Sequence, residues 1–438
     1  MKTQIIGMIL ALCLASPSFA EDSKSPDAQN TFIAVGTAKT KKTGLAFLDI
    51  QTTGSTQAYS EIIRTTITND LLFMDAFKFA DKAAFVGDPN KMSNWTTIGV
   101  EYLIQAKLSI ENNALVLEAR LTETTGGKDL INKRYVSLIN ESKTLAHTFA
   151  NQIVETLTSL PGIFLTKITM VCDRTGKKEV YIMNYDGSDI RELTKHRSVT
   201  VGPNWSPDGT KIAYTVYAKH RDNTKNPDLY ELDFRSNSIR LLSNRKGMNS
   251  GAAYSPDGGK IALTMHFLGN AEIFSMDANA PQSVVRLSKS FGNSVNPSWS
   301  PDGKKITFIS DRAGAPMVYV MAADGGNVQR LTFAGKYNDS PSWSPQNNKI
   351  AFSGWIDKGF DVFIMNPDGT NIERLSKDTG SNEGPAFSPD GNFITFNSNR
   401  TGQDNIYVVN VDGTFTRRLT YGLGNCTSPK WSMPPGKK

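Results

Sequence analysis

At 438 residues, with 39% apolar and 21% charged residues, the chain is long enough for two cores and ordinary for a folded protein. Its net charge of +6, about +5 once a leader carrying Lys2 is removed, helps solubility and does not imply nucleic acid; no dense basic run with interleaved aromatics is visible. Past the first twenty residues nothing approaches the length of a membrane span.

In chain order, the first segment is a leader. Lys2 precedes the apolar run Ile5–Ala15, and Ser18-Phe19-Ala20 offers small residues at a cleavage point, so residues 1–20 read as a secretory signal. Cys13 leaves with it and lacks a lipoprotein context. An N-terminal arm follows over 21–42, polar over 21–31. Residues 43–162 read as a small α/β domain. Gly44–Asp49 is a buried strand, and Tyr59–Leu72 sets Ile62, Ile63, Ile67, Leu71 and Leu72 at helical spacing. Tyr102–Ile110 and Ala114–Leu121 alternate as strands about an Asn112-Asn113 turn, with Asp129–Leu138 a third strand after Gly126-Gly127. Ser142–Leu160 is an amphipathic helix stopped by Pro161-Gly162.

From 163 to 438 one pattern recurs. Its clearest copies are Pro297-Ser298-Trp299-Ser300-Pro301-Asp302-Gly303 and Pro385-Ala386-Phe387-Ser388-Pro389-Asp390-Gly391. The second serine falls at 206, 255, 300, 344, 388 and 432, in steps of 49, 45, 44, 44 and 44 residues. A fixed period of about 40–50 residues suits a four-stranded propeller blade. Pro presets φ, Asp bonds its own backbone and Gly takes positive φ, which closes a hairpin. A second hairpin turns at Asp-Gly, as in Asp361–Gly369, and related strands centre on Tyr181, Tyr230, Phe274, Tyr319, Phe363 and Tyr407. The first of these precedes the first Ser-Pro-Asp-Gly, and Trp431-Ser432 has no strand after it. The order predicts six blades, the last one shared. Ile163–Thr194 supplies three of its strands and Asn425–Ser432 the innermost, which leaves no open edge. The fold class is therefore α+β with two domains: a small N-terminal α/β domain, then a six-bladed β-propeller closed by the C-terminal strand.

Cys172 and Cys426, the two cysteines of the mature chain, both fall in the shared blade. Pairing Ser300 with Lys304 across the turn and counting outward sets Ser294 opposite Ser310 and, by alignment, Cys426 opposite Cys172. The pair reads either as a disulfide, which an exported protein permits, or as two buried thiols.

No Gly-x-Ser-x-Gly, His-Glu-x-x-His or paired Cys-x-x-Cys occurs, and His147, His196, His220 and His266 are scattered. Asp208, Asp257, Asp302 and Asp390 recur at turns, and Trp205, Trp299, Trp343 and Trp431 end inner strands, so both sets read as structure. No catalytic residue, metal or cofactor is assigned. The functional signal lies in the loops leading into each inner strand. Met248, Asn249 and Gly251 form the first group, and Asn293, Ser294, Val295 and Asn296 the second. Tyr337, Asn338 and Asp339 follow, then Asn382 and Glu383. All should converge on one channel mouth, where amides and carboxylates mixed with Met, Tyr and Val suit a peptide or protein loop. Four other readings stand beside this one. The Asn and Gly residues serve the turns; the acids hold a cation; Asp339 and Glu383 serve an enzyme acting on cell-envelope glycan; or Tyr337 is the platform of a carbohydrate-binding propeller.

The blade pattern resembles the TolB family, periplasmic components of the Tol-Pal envelope system. So do the junction Pro161-Gly162-Ile163-Phe164-Leu165-Thr166-Lys167-Ile168 and the segment Asn94-Trp95-Thr96-Thr97-Ile98-Gly99-Val100-Glu101-Tyr102-Leu103-Ile104. The resemblance covers nearly the whole mature chain. It implies a non-enzymatic protein-binding scaffold in the periplasm, peripheral to the membrane and not inserted in it. It implies Pal, the peptidoglycan-associated lipoprotein, as partner at the channel mouth, and TolA as partner of the arm. Other outer-membrane proteins are further partners, and the implied roles are outer-membrane integrity, cell division and protein import. By position the Pal contacts fall on Met248, Gly251 and Val295, where the family's usual residues at 248 and 295 are histidine and threonine. The arm contact falls on Phe32, Ile33, Val35 and Gly36 within Glu21–Gly36.

Overall fold

The computed structural model describes residues 41–436 apart from 90, 221, 222, 268, 347, 378 and 379. The leader 1–20 and the arm residues Phe32, Ile33, Val35 and Gly36 lie outside the described residues.

The α/β domain is a sheet with two main helices. Across the sheet the strands run Phe77–Phe79, Thr43–Phe47, Tyr102–Glu111, Ala114–Glu123 and Asp129–Leu138. The first three are parallel and the remaining pairings antiparallel. The helix Gln57–Phe73 buries Ile63, Ile67 and Leu71, a spacing of four that keeps one stripe inward. Ile62 and Leu72, which share the apolar pattern, stay 39% and 48% exposed on its flanks. The helix Ser142–Thr158 buries Leu145, Ala146, Phe149, Ile153 and Val154 and ends at Ser159, whose φ of 61° is left-handed. The chain then needs Gly162. A Cβ there would sit 2.2 Å from Asn151 Oδ1, which instead accepts the Phe164 N–H at 2.9 Å. That bond fixes how the chain leaves the helix for the propeller.

Six four-stranded antiparallel sheets follow. Blade 1 begins at the inner strand Thr200–Trp205, blade 2 at Asn249–Tyr254 and blade 3 at Ser294–Trp299. Blades 4 and 5 begin at Asn338–Trp343 and Asn382–Phe387. In blade 6 the order is Cys426–Trp431, Lys167–Cys172, Glu179–Asn184, Arg191–Glu192, so the two ends of the chain complete one sheet.

The turn chemistry explains both the repeat and the splice. In blade 3, Ser300 Oγ donates to Asp302 Oδ1 at 2.6 Å and accepts the Lys305 N–H at 2.9 Å. Blades 1 and 2 repeat these bonds with Ser206–Asp208 and Ser255–Asp257. In blade 6, Ser432 Oγ accepts the Lys167 N–H at 2.9 Å, and the Ser432 N–H donates to Lys167 O at 2.8 Å. The same serine bond is thus made between residues 265 apart in sequence.

The register corrects one expectation. Ser300 N–H donates to Lys305 O at 2.9 Å, so the turn pairs Ser300 with Lys305 and not Lys304. A bulge between Val295 and Ser298 takes up the extra residue and restores Ser294 opposite Ser310. The same bulge lies between Thr427 and Lys430, and Cys426 stands opposite Cys172. The two are joined as a disulfide. Each inner strand carries this bulge on a left-handed residue: Gly202, Gly251, Asn296, Ser340, Gly384 and Ser428, with φ from 52° to 65°.

The recurrent tryptophans tie blade to blade. Trp205 Nε1 donates to Lys430 O and Trp299 Nε1 to Ala253 O, both at 3.1 Å. Every inner strand runs from a loop on one face, the mouth face, to a Ser-Pro-Asp-Gly-type turn on the other, the turn face. The α/β domain seats on the turn face. Phe73 meets the rings of Tyr185, Phe393 and Phe415 with centroids 5.0, 5.1 and 6.1 Å away. Asp70, 1% exposed, accepts hydrogen bonds from Tyr185 Oη at 2.5 Å and from His147 Nδ1 at 2.8 Å. Burial raises the Asp70 carboxyl above its ordinary range, against the pull of His147 and Tyr185. The mouth face is left clear of the α/β domain.

Candidate functional site

The bulge builds the channel. By switching backbone direction at Gly202, Gly251, Asn296, Ser340, Gly384 and Ser428, it turns these residues and their neighbours toward the axis. A cavity of about 310 Å³ results, lined by Asn204, Asn296, Asp339, Glu383, Asn397 and Lys430 among small residues and prolines. At the position Lys430 occupies, the other five inner strands carry Asn204, Ala253, Ser298, Ser342 and Ala386. Lys430 therefore sets an ammonium where the other strands place small neutral residues, in a lining that also holds the carboxyls of Asp339 and Glu383. Burial lowers the Lys430 ammonium, with Asp339 pulling the other way. Burial raises the Asp339 carboxyl, opposed by Asn296 Nδ2 donating at 2.8 Å, the Ser340 N–H at 2.7 Å, and Lys430. Among the described residues no group of three His, Cys, Asp or Glu side chains comes together.

The predicted loop residues divide into two sets. Asn249, Ser294 and Asn382 are fully buried and Asn338 is 2% exposed. All four are first residues of inner strands, and their side chains brace the blades. Asn249 Nδ2 donates to the carbonyls of Pro227, Arg245 and Gly247, while its Oδ1 accepts from Ser243 Oγ at 2.6 Å. Asn382 Nδ2 donates to Asp361 Oδ1 of the preceding blade at 3.0 Å, and Asn338 Nδ2 to Thr332 Oγ1 at 3.0 Å. Ser294 Oγ accepts from Arg312 Nη2 at 3.2 Å. These side chains are enclosed among the blades.

Met248, Gly251, Val295, Asn296, Asp339 and Glu383 are partly exposed, and Asn293 and Tyr337 are exposed. Asn293 is also a brace: its Nδ2 donates to Asp311 Oδ2 at 3.0 Å and its Oδ1 accepts the Ala271 N–H at 3.0 Å. Tyr337 meets Phe360 edge-on at 5.5 Å, and Phe360 meets Trp355 at 5.1 Å. Burial, then the neighbouring Asp339, Asp311 and Glu383, push the Tyr337 phenol up. Phe360 and Trp355 sit on another hairpin of the same blade, and no loop pattern marks them. Lys430 and Asn204 were likewise hidden behind prolines near the ends of inner strands.

Two family models match the chain. One, described as the TolB beta propeller domain, covers residues 154–433, and one described as the TolB amino-terminal domain covers 32–130. A Protein TolB homolog of Chlorobium chlorochromatii is 32% identical over 310 residues, 69% of either chain. One from Chlorobium luteolum is 35% identical over 233 residues, and the match spans about half of each protein, 53% of this chain and 52% of the relative. A Tol-Pal system protein TolB of Geobacter metallireducens is 41% identical over 118 residues, 27% of this chain and 28% of that one. The crystal structure of TolB from Acinetobacter baumannii shares the fold, with a TM-score of 0.79 at 23% identity over 90% of this chain and 97% of that one. Among the described residues no helix is long and apolar enough to cross a membrane. With six closed blades, an α/β domain on their turn face and a propeller model matching 154–433, the chain belongs to the TolB family.

Proposed function

We propose that the protein is a periplasmic scaffold of a Tol-Pal system, with no catalytic role, that binds Pal at the mouth face of the propeller. The observation that carries this reading is the open mouth itself. The α/β domain occupies the opposite face, and Met248, Gly251, Val295, Asn296, Tyr337, Asp339 and Glu383 leave a mixed apolar and polar rim around a polar channel. A protein loop of modest size fits such a rim better than a small apolar ligand does. TolA would engage the arm over 21–42, and outer-membrane integrity and division follow from the system's role. Family relatives named Tol-Pal system proteins support the assignment. The test is calorimetric titration of the mature chain with the soluble domain of Pal from the same organism. Met248→Asp, which sets a charge on the rim, should weaken binding at least tenfold, roughly the cost of an unpaired charge at an interface. Unchanged affinity for that variant would remove the mouth from the account.

A further inference from the structure

The loops of three consecutive blades gather charge that is dispersed in the sequence. Lys178 lies in the turn of blade 6, and Lys195 and Arg197 lead from blade 6 into blade 1. Lys219 and Lys225 flank the tip of the blade 1 hairpin, and Lys246 leads into blade 2. All six are exposed, and by strand direction all belong to the mouth face. The blade 1 hairpin is longer than most: its strands Lys211–Lys219 and Lys225–Asp233 have nine residues each, where the matching strands of blade 3 have six. It therefore carries Lys219 and Lys225 outward beside the mouth. The intervening Arg221-Asp222 adds no net charge.

The nearby carboxylates are already engaged. Asp173 accepts from the Asn425 N–H and Nδ2 at 2.7 and 3.0 Å. Glu179, 2% exposed, accepts from Thr194, Thr200 and the Arg197 N–H. Asp228, also 2% exposed, accepts from Asn226 and lies 3.0 Å from His220 Nε2. Glu192 accepts from Thr175 Oγ1 at 3.3 Å. The exposed aspartates Asp208, Asp257, Asp302, Asp368 and Asp412 all sit in turns of the opposite face. Those turns also carry the exposed Lys260, Lys304 and Lys305, and Asp357 is exposed on the mouth face in blade 4, so the charge feature that stands out is the basic arc over blades 6, 1 and 2.

The arc has an apolar centre. Val199 and Tyr217 are 40% and 44% exposed, and they are neighbours, since the Tyr217 N–H donates to Val199 O at 2.9 Å. An apolar pair ringed by flexible lysines has the anatomy of a protein interface, apolar inside and charged at the rim. A lipid surface or a charged polymer would need only the charge. We infer that this arc docks an acidic, partly apolar protein surface, the flank of the partner whose loop enters the mouth. In this respect the inference rests on the mouth reading.

The test measures association and dissociation rates of the soluble Pal domain with the mature full-length chain across a salt series. It compares wild type, the triple variant K195E/K219E/K246E, Tyr217→Ser and Met248→Asp. The triple variant should associate about tenfold more slowly at low salt, and the difference should close near 0.5 M, roughly where screening is complete over a few ångströms. Tyr217→Ser should speed dissociation. Lys195, Lys219, Lys246 and Tyr217 are exposed and Met248 partly so, and unchanged melting temperatures confirm that folding is not the cause. If the triple variant matches wild type at every salt concentration while Met248→Asp loses binding, the arc fails and the mouth stands. If the triple variant slows association and Met248→Asp binds normally, the mouth reading fails and the arc stands alone. Binding of phosphatidylglycerol vesicles that the triple variant abolishes, with Pal rates unaffected, would overturn the inference in favour of a lipid-facing surface.

Discussion

Removing the Cys172–Cys426 disulfide tests how the ring is held shut. Both sulfurs are fully buried, and the bond closes a loop of 254 residues at the seam where the chain's two ends meet. In the chain-entropy model, a cross-link over so long a loop restricts the unfolded state by about 5 kcal/mol. Blade 3 shows that serines suit the position: Ser294 and Ser310 occupy the equivalent pair, with Ser294 Oγ donating to Ser310 Oγ at 3.4 Å. The double variant C172S/C426S should therefore fold with its ladder intact, because Lys167, Thr169 and Trp431 still bond across the seam. Its unfolding entropy, about 0.8 kcal/mol/K for a fold of this size, converts the lost 5 kcal/mol into a melting temperature lower by roughly 6 °C. Calorimetry of wild type with and without reductant, beside the double variant, reads this directly. Reduced wild type should fall to the level of the variant and gain two hydrogens in mass. A shift below about 1 °C would refute the entropic argument.

Tyr185→Phe should cost about 1.5–3 kcal/mol, the worth of a hydrogen bond to a charged acceptor, and expose the domain junction to limited proteolysis; protection equal to wild type would contradict it. Asp70 has a raised folded pKa, so the folded state holds that proton more tightly than the unfolded chain does. Its contribution to stability is greatest in acid and is lost as pH rises from the ordinary carboxylate range through the folded value. Asp70→Asn should flatten that decline in denaturant-unfolding free energies above the ordinary carboxylate range, and an unchanged slope would count against the assignment. Asn296 holds φ at 55° and bonds Asp339, so Asn296→Val should lose about 1–3 kcal/mol from the backbone. Asn296→Gly should lose less, and equal losses in chemical denaturation would dismiss the bulge as the cause.

The architecture was legible because a propeller repeats its own grammar. Ser, Asp and Gly at each turn have fixed backbone duties, and six copies at nearly equal steps leave one arrangement that closes. The seam was legible for the same reason: an unpaired inner strand at one end matched a missing one at the other. The bulge was not, because pairing counts assume one residue opposite one. Its signature is a left-handed residue before a proline or alanine, and three of the six positions hold Asn or Ser rather than Gly. The loop residues were half legible. Spacing brought Met248, Val295, Tyr337, Asp339 and Glu383 to one mouth, yet it could not separate them from Asn249, Asn338 and Asn382, whose amides are enclosed in neighbouring positions. Lys430 and the basic arc were invisible for a further reason. Each depends on residues from different blades meeting around a ring, and no run in the sequence carries that adjacency.

The most direct test places a photo-crosslinking side chain at position 337 on the mouth face and, separately, at position 208 on the turn face, then illuminates each mature chain with the soluble Pal domain. Capture from 337 and none from 208 is the predicted result. Capture from 208, or from neither position at concentrations where the two proteins associate, would contradict docking at the mouth.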